Sequence, residues 1–200
     1  MASDLVLVAN AADATVSTFA LDAAGQRLEP LATSAVGRGC STFVVDEDRD
    51  LVYAATKGDA DGHGQGVDSF RLDRTTGALT PLGHVDGTGY HYLALAHGGR
   101  VLAGAAYHSG EATTWVLDGE GGISDPVAEV AWRNAHAVAT RAAHLYVVSL
   151  GEDLLAQYLL GDDGRLTPLD PPTVPAPPGS GQRTGPVSYT HLRAHETDSY

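Results

Sequence analysis

The chain holds one cysteine and one methionine among 200 residues. A lone Cys40 has no partner for an internal disulfide, which fits a reducing compartment. Cys40 itself reads as a small buried side chain. Basic residues are scarce, with 12 Lys and Arg against 25 Asp and Glu, a formal net charge of −13. Nucleic acid and anionic membrane surfaces both call for basic patches, so neither is expected as a partner. A small anionic ligand needs only two or three local cations and stays admissible. No apolar run approaches the ~20 residues of a membrane span. Met1-Ala2-Ser3-Asp4 carries no basic residue, and the apolar run Leu5–Ala9 is too short for a signal-peptide core. The expected location is the cytoplasm. Also missing are the strand–glycine–helix phosphate loop and the Gly-x-Ser-x-Gly elbow.

Glycine, by contrast, is abundant: 24 of 200 residues, where about 7% is usual. With 43% hydrophobic residues the chain can build a core, and the glycine points to a turn-dense one. Its β-type runs recur. Leu5–Asn10 and Val16–Leu21 alternate as half-buried strands do, then Asp22–Gly25 turns into Leu28-Glu29-Pro30-Leu31. Leu51–Thr56, Asp68–Leu72, Asp73–Gly77 and Leu79-Thr80-Pro81-Leu82 repeat the layout. It returns as Val101–Tyr107, Thr114–Leu117, Asp118–Gly122 and Ile123. A fourth copy is Leu145–Leu150, Gln157–Leu160, Asp162-Asp163-Gly164 and Leu166-Thr167-Pro168-Leu169. Starts at residues 5, 51, 101 and 145 lie 46, 50 and 44 apart, the second unit being stretched by a polar surface insert over Lys57–Gly66.

Four short strands per ~40–50 residues is the period of a propeller blade. A helical solenoid of that period would need 3.6-residue amphipathic patterns, and these segments have period two. The Ala-rich stretch from Arg133 could pass for a helix on propensity alone, but its recurrence assigns it to a strand. One more segment per unit supplies a candidate innermost strand: Gly39–Val45, Gly89–Leu95, Asn134–Ala139 and a fourth from Gly181. Their first residues would face a central channel. In this alignment Ser41, His91, His136 and Thr184 are equivalent, as are Cys40, Tyr90, Ala135 and Arg183.

On these hairpins, on Asn134-Ala135-His136-Ala137, and on Leu166–Pro172 leading to Pro178-Gly179-Ser180-Gly181, the chain resembles the seven-bladed β-propeller lactonases. That family includes bacterial 6-phosphogluconolactonases and fungal carboxymuconate-lactonizing enzymes. The resemblance covers Leu5 to about Arg183 and implies an all-β fold, an incomplete β-propeller of about four of seven four-stranded blades. Seven blades of ~45 residues would need roughly 315 residues. The family's Gly-Pro-Arg-His motif falls on Gly181-Gln182-Arg183-Thr184, which keeps glycine and arginine but has Gln and Thr for Pro and His. Beyond it, Val187–Thr197 is similar to a translated sequencing-adapter read. Residues 1–186 are therefore assigned to the partial propeller and 187–200 to an unrelated tail. His191 and His195, spaced like a metal-ligand pair, fall in that tail, and no metal is expected.

Opening a lactone needs a base for the attacking water and a donor or cation for the developing oxyanion. His136 is the candidate base, since imidazole titrates near neutral pH and the family's functional histidine falls on this segment. Arg183 is the candidate anion partner by correspondence with the family's arginine, and arginine binds phosphate bidentately. His91 and Arg133 are candidate substrate-binding residues. Tyr90 and Tyr92 read as packing aromatics, Asp153 as a turn residue, and His63, His84, His97, His108 and His144 as loop or turn residues. The resemblance implies hydrolysis of a sugar lactone, 6-phosphogluconolactone first, in sugar catabolism and with no metal or organic cofactor. The fragment itself is expected to be inactive. The alternatives are a non-catalytic binding propeller and a lactone-forming cyclase. Oligomeric state is left open.

Overall fold

A computed structural model of the chain describes residues 4–22, 24, 27–40, 42–58 and 64–179. Within them lie fifteen strands in four antiparallel sheets and no helix. Blade 1 is β1 (Asp4–Asn10), β2 (Thr15–Asp22) and β3 (Arg27–Ala35), three strands in chain order. Blade 2 is β4 (Thr42–Asp46), β5 (Leu51–Lys57), β6 (Gln65–Leu72) and β7 (Leu79–Asp86). Blade 3 is β8 (Tyr92–Ala96), β9 (Val101–Ala106), β10 (Glu111–Val116) and β11 (Ala128–Ala131). Blade 4 is β12 (Ala135–Arg141), β13 (His144–Ser149), β14 (Leu154–Leu160) and β15 (Leu166–Pro175). This is an incomplete β-propeller, as the period of the sequence implies. Arg133–Val138 contributes to a strand rather than a helix. The inner strands begin at Thr42 and Tyr92, later than the sequence pattern placed them, so His91 precedes its strand while His136 lies inside one.

The Leu-x-Pro signature has a positional cause. Pro30, Pro81 and Pro168 sit on the outermost strands and face Phe19, Phe70 and Tyr158. Proline has no N–H to give to a ladder, so an edge strand is where a sheet tolerates it. In each pair the register shifts beside the aromatic, between Thr18 and Phe19, Ser69 and Phe70, and Ala156 and Tyr158. Such bulges raise local twist and, with proline, block further strand addition.

Blade 3 departs from the expected hairpin. Asp118 does form its turn, its Oδ1 accepting from Glu120 N at 2.9 Å and Gly122 N at 2.7 Å. Ile123, however, makes a single bridge to Leu117, and the outer strand proper is β11. Here the Ser124 hydroxyl, not a strand carbonyl, receives Val116 N at 3.0 Å, and Pro126 brings no donor.

Three apolar layers lie between successive blades. Val16, Val52, Ala54 and Phe70 join blades 1 and 2. Tyr53, Tyr90, Leu102 and Trp115 join blades 2 and 3, and Val101, Val138, Leu145 and Val147 join blades 3 and 4. Full burial of one such side chain stabilises by about 1.5–3 kcal/mol. Tyr90 and Trp115 meet edge to face at 5.0 Å and 85°, with the Tyr90 hydroxyl on Thr113 Oγ1 at 3.2 Å. Cys40 is buried, and burial pushes its thiol up to about 11, so it stays protonated and inert.

The outer turns fasten each blade to the one before. Gly77, Gly121 and Gly164 all have left-handed φ, at 74°, 103° and 81°. A Cβ on Gly77 would lie 2.9 Å from Leu31 Cβ in blade 1. One on Gly121 would collide with Leu82 of blade 2, and one on Gly164 would lie 3.2 Å from Val127, beside blade 3. The carbonyl of Gly164 also accepts from Thr114 Oγ1 at 2.7 Å.

Candidate active site

The inner strands β8 and β12 begin at the same rim where β5, β9 and β13 end. Chain geometry at this rim is most constrained at Trp132–Ala137. Asn134 has φ +53°, a conformation asparagine tolerates better than most residues. Its carbonyl accepts from Leu150 N at 3.2 Å, and its side-chain amide donates to Tyr107 O at 3.4 Å. The Arg133 carbonyl takes both Ser149 Oγ at 2.8 Å and Gly151 N at 3.2 Å. Four partners thus hold one strained turn, the pattern that lets an unfavourable backbone persist. Immediately after it the ladder slips: Ala135 faces Ser149 and Ala137 faces Val148, leaving His136 unpaired. A bulge of this kind re-aims the side chain of its extra residue.

His136 is aimed at Tyr107, edge-on, with ring centroids 5.9 Å apart and planes at 87°. Tyr107 in turn meets His108 at 5.3 Å and His91 at 6.1 Å, and His91 meets His108 at 5.2 Å. Three imidazoles therefore surround one phenol, contributed by the starts of β8 and β12 and the turn after β9. Tyr107 N donates to His91 Nδ1 at 3.3 Å, so that nitrogen accepts and the neutral ring carries its proton on Nε2. Burial, then the positive charge of Lys57, His108 and His136, lowers the His91 pKa from the ordinary imidazole value. His136 Nδ1 is buried and has no hydrogen-bond partner among the described residues. An orphaned polar atom is costly in a packed interior, and such atoms concentrate at functional sites.

Of the candidates read from the sequence, His136 and His91 are brought together around Tyr107. Arg133 lies one turn away, its guanidinium donating to Gly151 O and its backbone N–H to Glu152 Oε1 at 3.1 Å. Arg183 lies outside the described residues, as do Ser41, His63, Thr184, the proposed tail, His191 and His195. The described counterparts of Arg183, namely Cys40, Tyr90 and Ala135, are buried between blades. Asp153 is a turn residue at φ +49°, with Oδ2 accepting from Gly179 N at 2.9 Å. His84 lies inside β7, with Nδ1 2.8 Å from Asp68 and Nε2 3.2 Å from Asp86. His97 reaches Leu160 O at 2.9 Å across the blade 3–4 boundary. Among the described residues no group of His, Cys, Asp and Glu is arranged to hold a metal ion.

Three members of the cluster were not singled out from the sequence: Lys57, Tyr107 and His108. Lys57 and Tyr107 each lie six residues after the start of a recurring run, at Leu51 and Val101, and so occupy one position of the repeat. That shared register was the available signal. His108 is a turn residue, as its place after a strand implies, yet its ring joins the cluster.

A family model described as a seven-bladed β-propeller lactonase matches residues 6–195, running past the boundary set at Pro186. A 6-phosphogluconolactonase of Bacillus subtilis (strain 168) is 28% identical over 202 residues, covering 92% of this chain and 54% of that protein. The periplasmic gluconolactonase of Pseudomonas aeruginosa has a similar fold, with a TM-score of 0.78 at 22% identity over 90% of this chain and 56% of its own. A protein from Lactobacillus plantarum gives a TM-score of 0.77 at 19% identity, over 91% of this chain and 56% of its own. The chain spans about half the length of the relatives it matches.

Proposed function

The chain belongs to the seven-bladed β-propeller lactonase family, and on that premise we propose that the whole protein hydrolyses a sugar lactone, 6-phosphogluconolactone first among them. The observation that carries this reading is the placement of His136 on a bulge, turned toward Tyr107 and two further imidazoles at the rim where the inner strands begin. In the reaction, water oxygen bonds to the ester carbonyl carbon while one of its protons passes to His136. The tetrahedral oxyanion then collapses, the ring C–O bond breaks, and the leaving ring oxygen takes up the proton to give the open hydroxy acid. Atoms balance with water alone, and the scheme is written with no metal or organic cofactor. Arg183 is assigned to the anionic part of the ligand and His91 to its binding. Arg133, engaged at Gly151, is assigned to the flank of the site.

General-base assistance of this kind contributes about 10²–10⁴-fold. His136→Ala in a protein carried to the full length of its relatives should lower kcat by that factor, measured by lactone disappearance above the spontaneous rate. Unchanged kcat would remove His136 from the reaction. The 200-residue chain itself should turn over little or no lactone, since it holds blades 1 to 4 only. The name of the Bacillus subtilis relative supports a phosphorylated substrate, whereas the Pseudomonas aeruginosa protein is named a periplasmic gluconolactonase. A cytoplasmic site of action is part of the proposal on the sequence reading alone, checked by cell fractionation.

A further inference from the structure

Lys57 is the one lysine in the chain, beside eleven arginines. Its position is specific. The stem passes over two glycines, with a Cβ on Gly39 falling 2.9 Å from Lys57 Cβ and one on Gly89 falling 3.7 Å from Lys57 Cγ. Gly89 is two residues before His91. Backbone anchors the strand end, with Lys57 N donating to Arg38 O at 2.9 Å. The ammonium belongs to the set of charges acting on His91, and the others in that set are His108 and His136. On a chain of net charge −13, the charges of the described residues that act on this ring are cationic when protonated. Like charges gathered at one ring disfavour the free protein, and an arriving anion relieves them.

We propose that Lys57, His91 and His108 form an anion subsite for a phosphoryl group, built across blades 2 and 3 and distinct from the base position at His136. Lysine serves here as a mobile point charge, and the two imidazole rings, packed against Tyr107, are assigned as its N–H-bearing partners. The roles divide between blades: blade 4 brings the base, while blades 2 and 3 bring a phosphoryl subsite in addition to the anion partner assigned to Arg183. That the phosphoryl group belongs to a lactone rests on the function proposed above; the anion site rests on the charges and their geometry.

The single lysine makes the test direct. Reductive dimethylation with ¹³C-formaldehyde labels two amines in this chain, Lys57 and the N-terminal α-amine, and keeps both cationic. Inorganic phosphate should shift the Lys57 resonance saturably and leave the α-amine unmoved. The phosphorylated sugar acid should act like phosphate, and its unphosphorylated counterpart should not. His108→Gln should weaken the phosphate response about tenfold. No Lys57 response, a response equal at both amines, or equal action of the unphosphorylated acid would overturn the subsite. In the full-length protein, Lys57→Gln should raise KM for a phosphorylated lactone about tenfold and leave KM for an unphosphorylated one unchanged. Turnover with identical KM shifts for both lactones would refute the subsite and spare the lactonase reading. A phosphate response at Lys57 without any lactone turnover would do the reverse.

Discussion

The outer hairpins and the inner rim are made by the same repeat, yet they use it in opposite ways. At the outside, residue identity recurs with geometry: Asp-to-Gly turns, left-handed Gly77, Gly121 and Gly164, and prolines facing aromatics at Phe19, Phe70 and Tyr158. At the inside only geometry recurs. The position filled by Lys57 in blade 2 is Tyr107 in blade 3, and the inner-strand position held by His91 in one blade is His136 in the next. A repeat keeps residues where every copy has the same mechanical task. It lets them diverge where neighbouring copies face one shared ligand from different sides.

The sharpest way to break this contrast is to strike each region once. Trp115→Ala empties the blade 2–3 layer and should cost about 3–5 kcal/mol, read from the urea midpoint. His136→Ala should leave that midpoint within about 0.5 kcal/mol, because the ring makes no hydrogen bond through its buried Nδ1. A large stability loss at His136 would merge the two regions into one. Next in size is Gly77→Ala, which forces a side chain into a left-handed turn and against Leu31. About 1–3 kcal/mol should be lost by the same measurement, with phosphate binding at Lys57 intact.

Acid should separate the regions without any mutation. The His91 pKa is lowered in the fold, so the folded chain binds fewer protons than the unfolded one between the two values. Stability from this group is therefore full above the ordinary imidazole value of 6.5 and declines as pH falls below it. Asp73 and Asp118 are lowered by backbone N–H donors in their turns. Their contribution is present above 3.8 and is lost only as pH falls through their depressed values. Melting temperature against pH should then show a rim-dependent decline starting near 6.5, removed in His91→Gln, and a separate hairpin-dependent one below 3.8, reduced in Asp118→Asn and removed when Asp73→Asn is added. A single decline insensitive to His91→Gln would contradict the assignment. The smallest effect concerns neither region: deletion of residues 187–200 should change the melting temperature negligibly if that tail is unrelated to the propeller.

The same contrast explains what could be read from the chain unaided. The strands, the blade period and the outer turns were legible because Leu, Pro and Gly return at fixed offsets for steric reasons that act locally. Blade 3 escaped in part, since Ser124 and Pro126 divert its outer hairpin and β11 forms five residues after Ile123, with no Leu-x-Pro to announce it. His136 and His91 were visible as inner-strand heads. Lys57 and His108 were not, because their significance comes from rings and charges meeting across blades, which no spacing within one blade encodes. The bulge at His136 and the left-handed Asn134 are likewise products of the Ser149, Leu150 and Gly151 contacts that follow them in the chain.

The outer glycine turns also give the ring a direction. Gly77 seats on blade 1, Gly121 on blade 2, and Gly164 beside blade 3, so each newly added sheet brings the latch for its predecessor. A ribosome releasing this polypeptide amino end first therefore delivers every latch just after the surface it grips. Assembly can proceed like a zipper drawn from one side, each blade secured before the next leaves the tunnel, and a duplicated blade would arrive with its own fastener already attached.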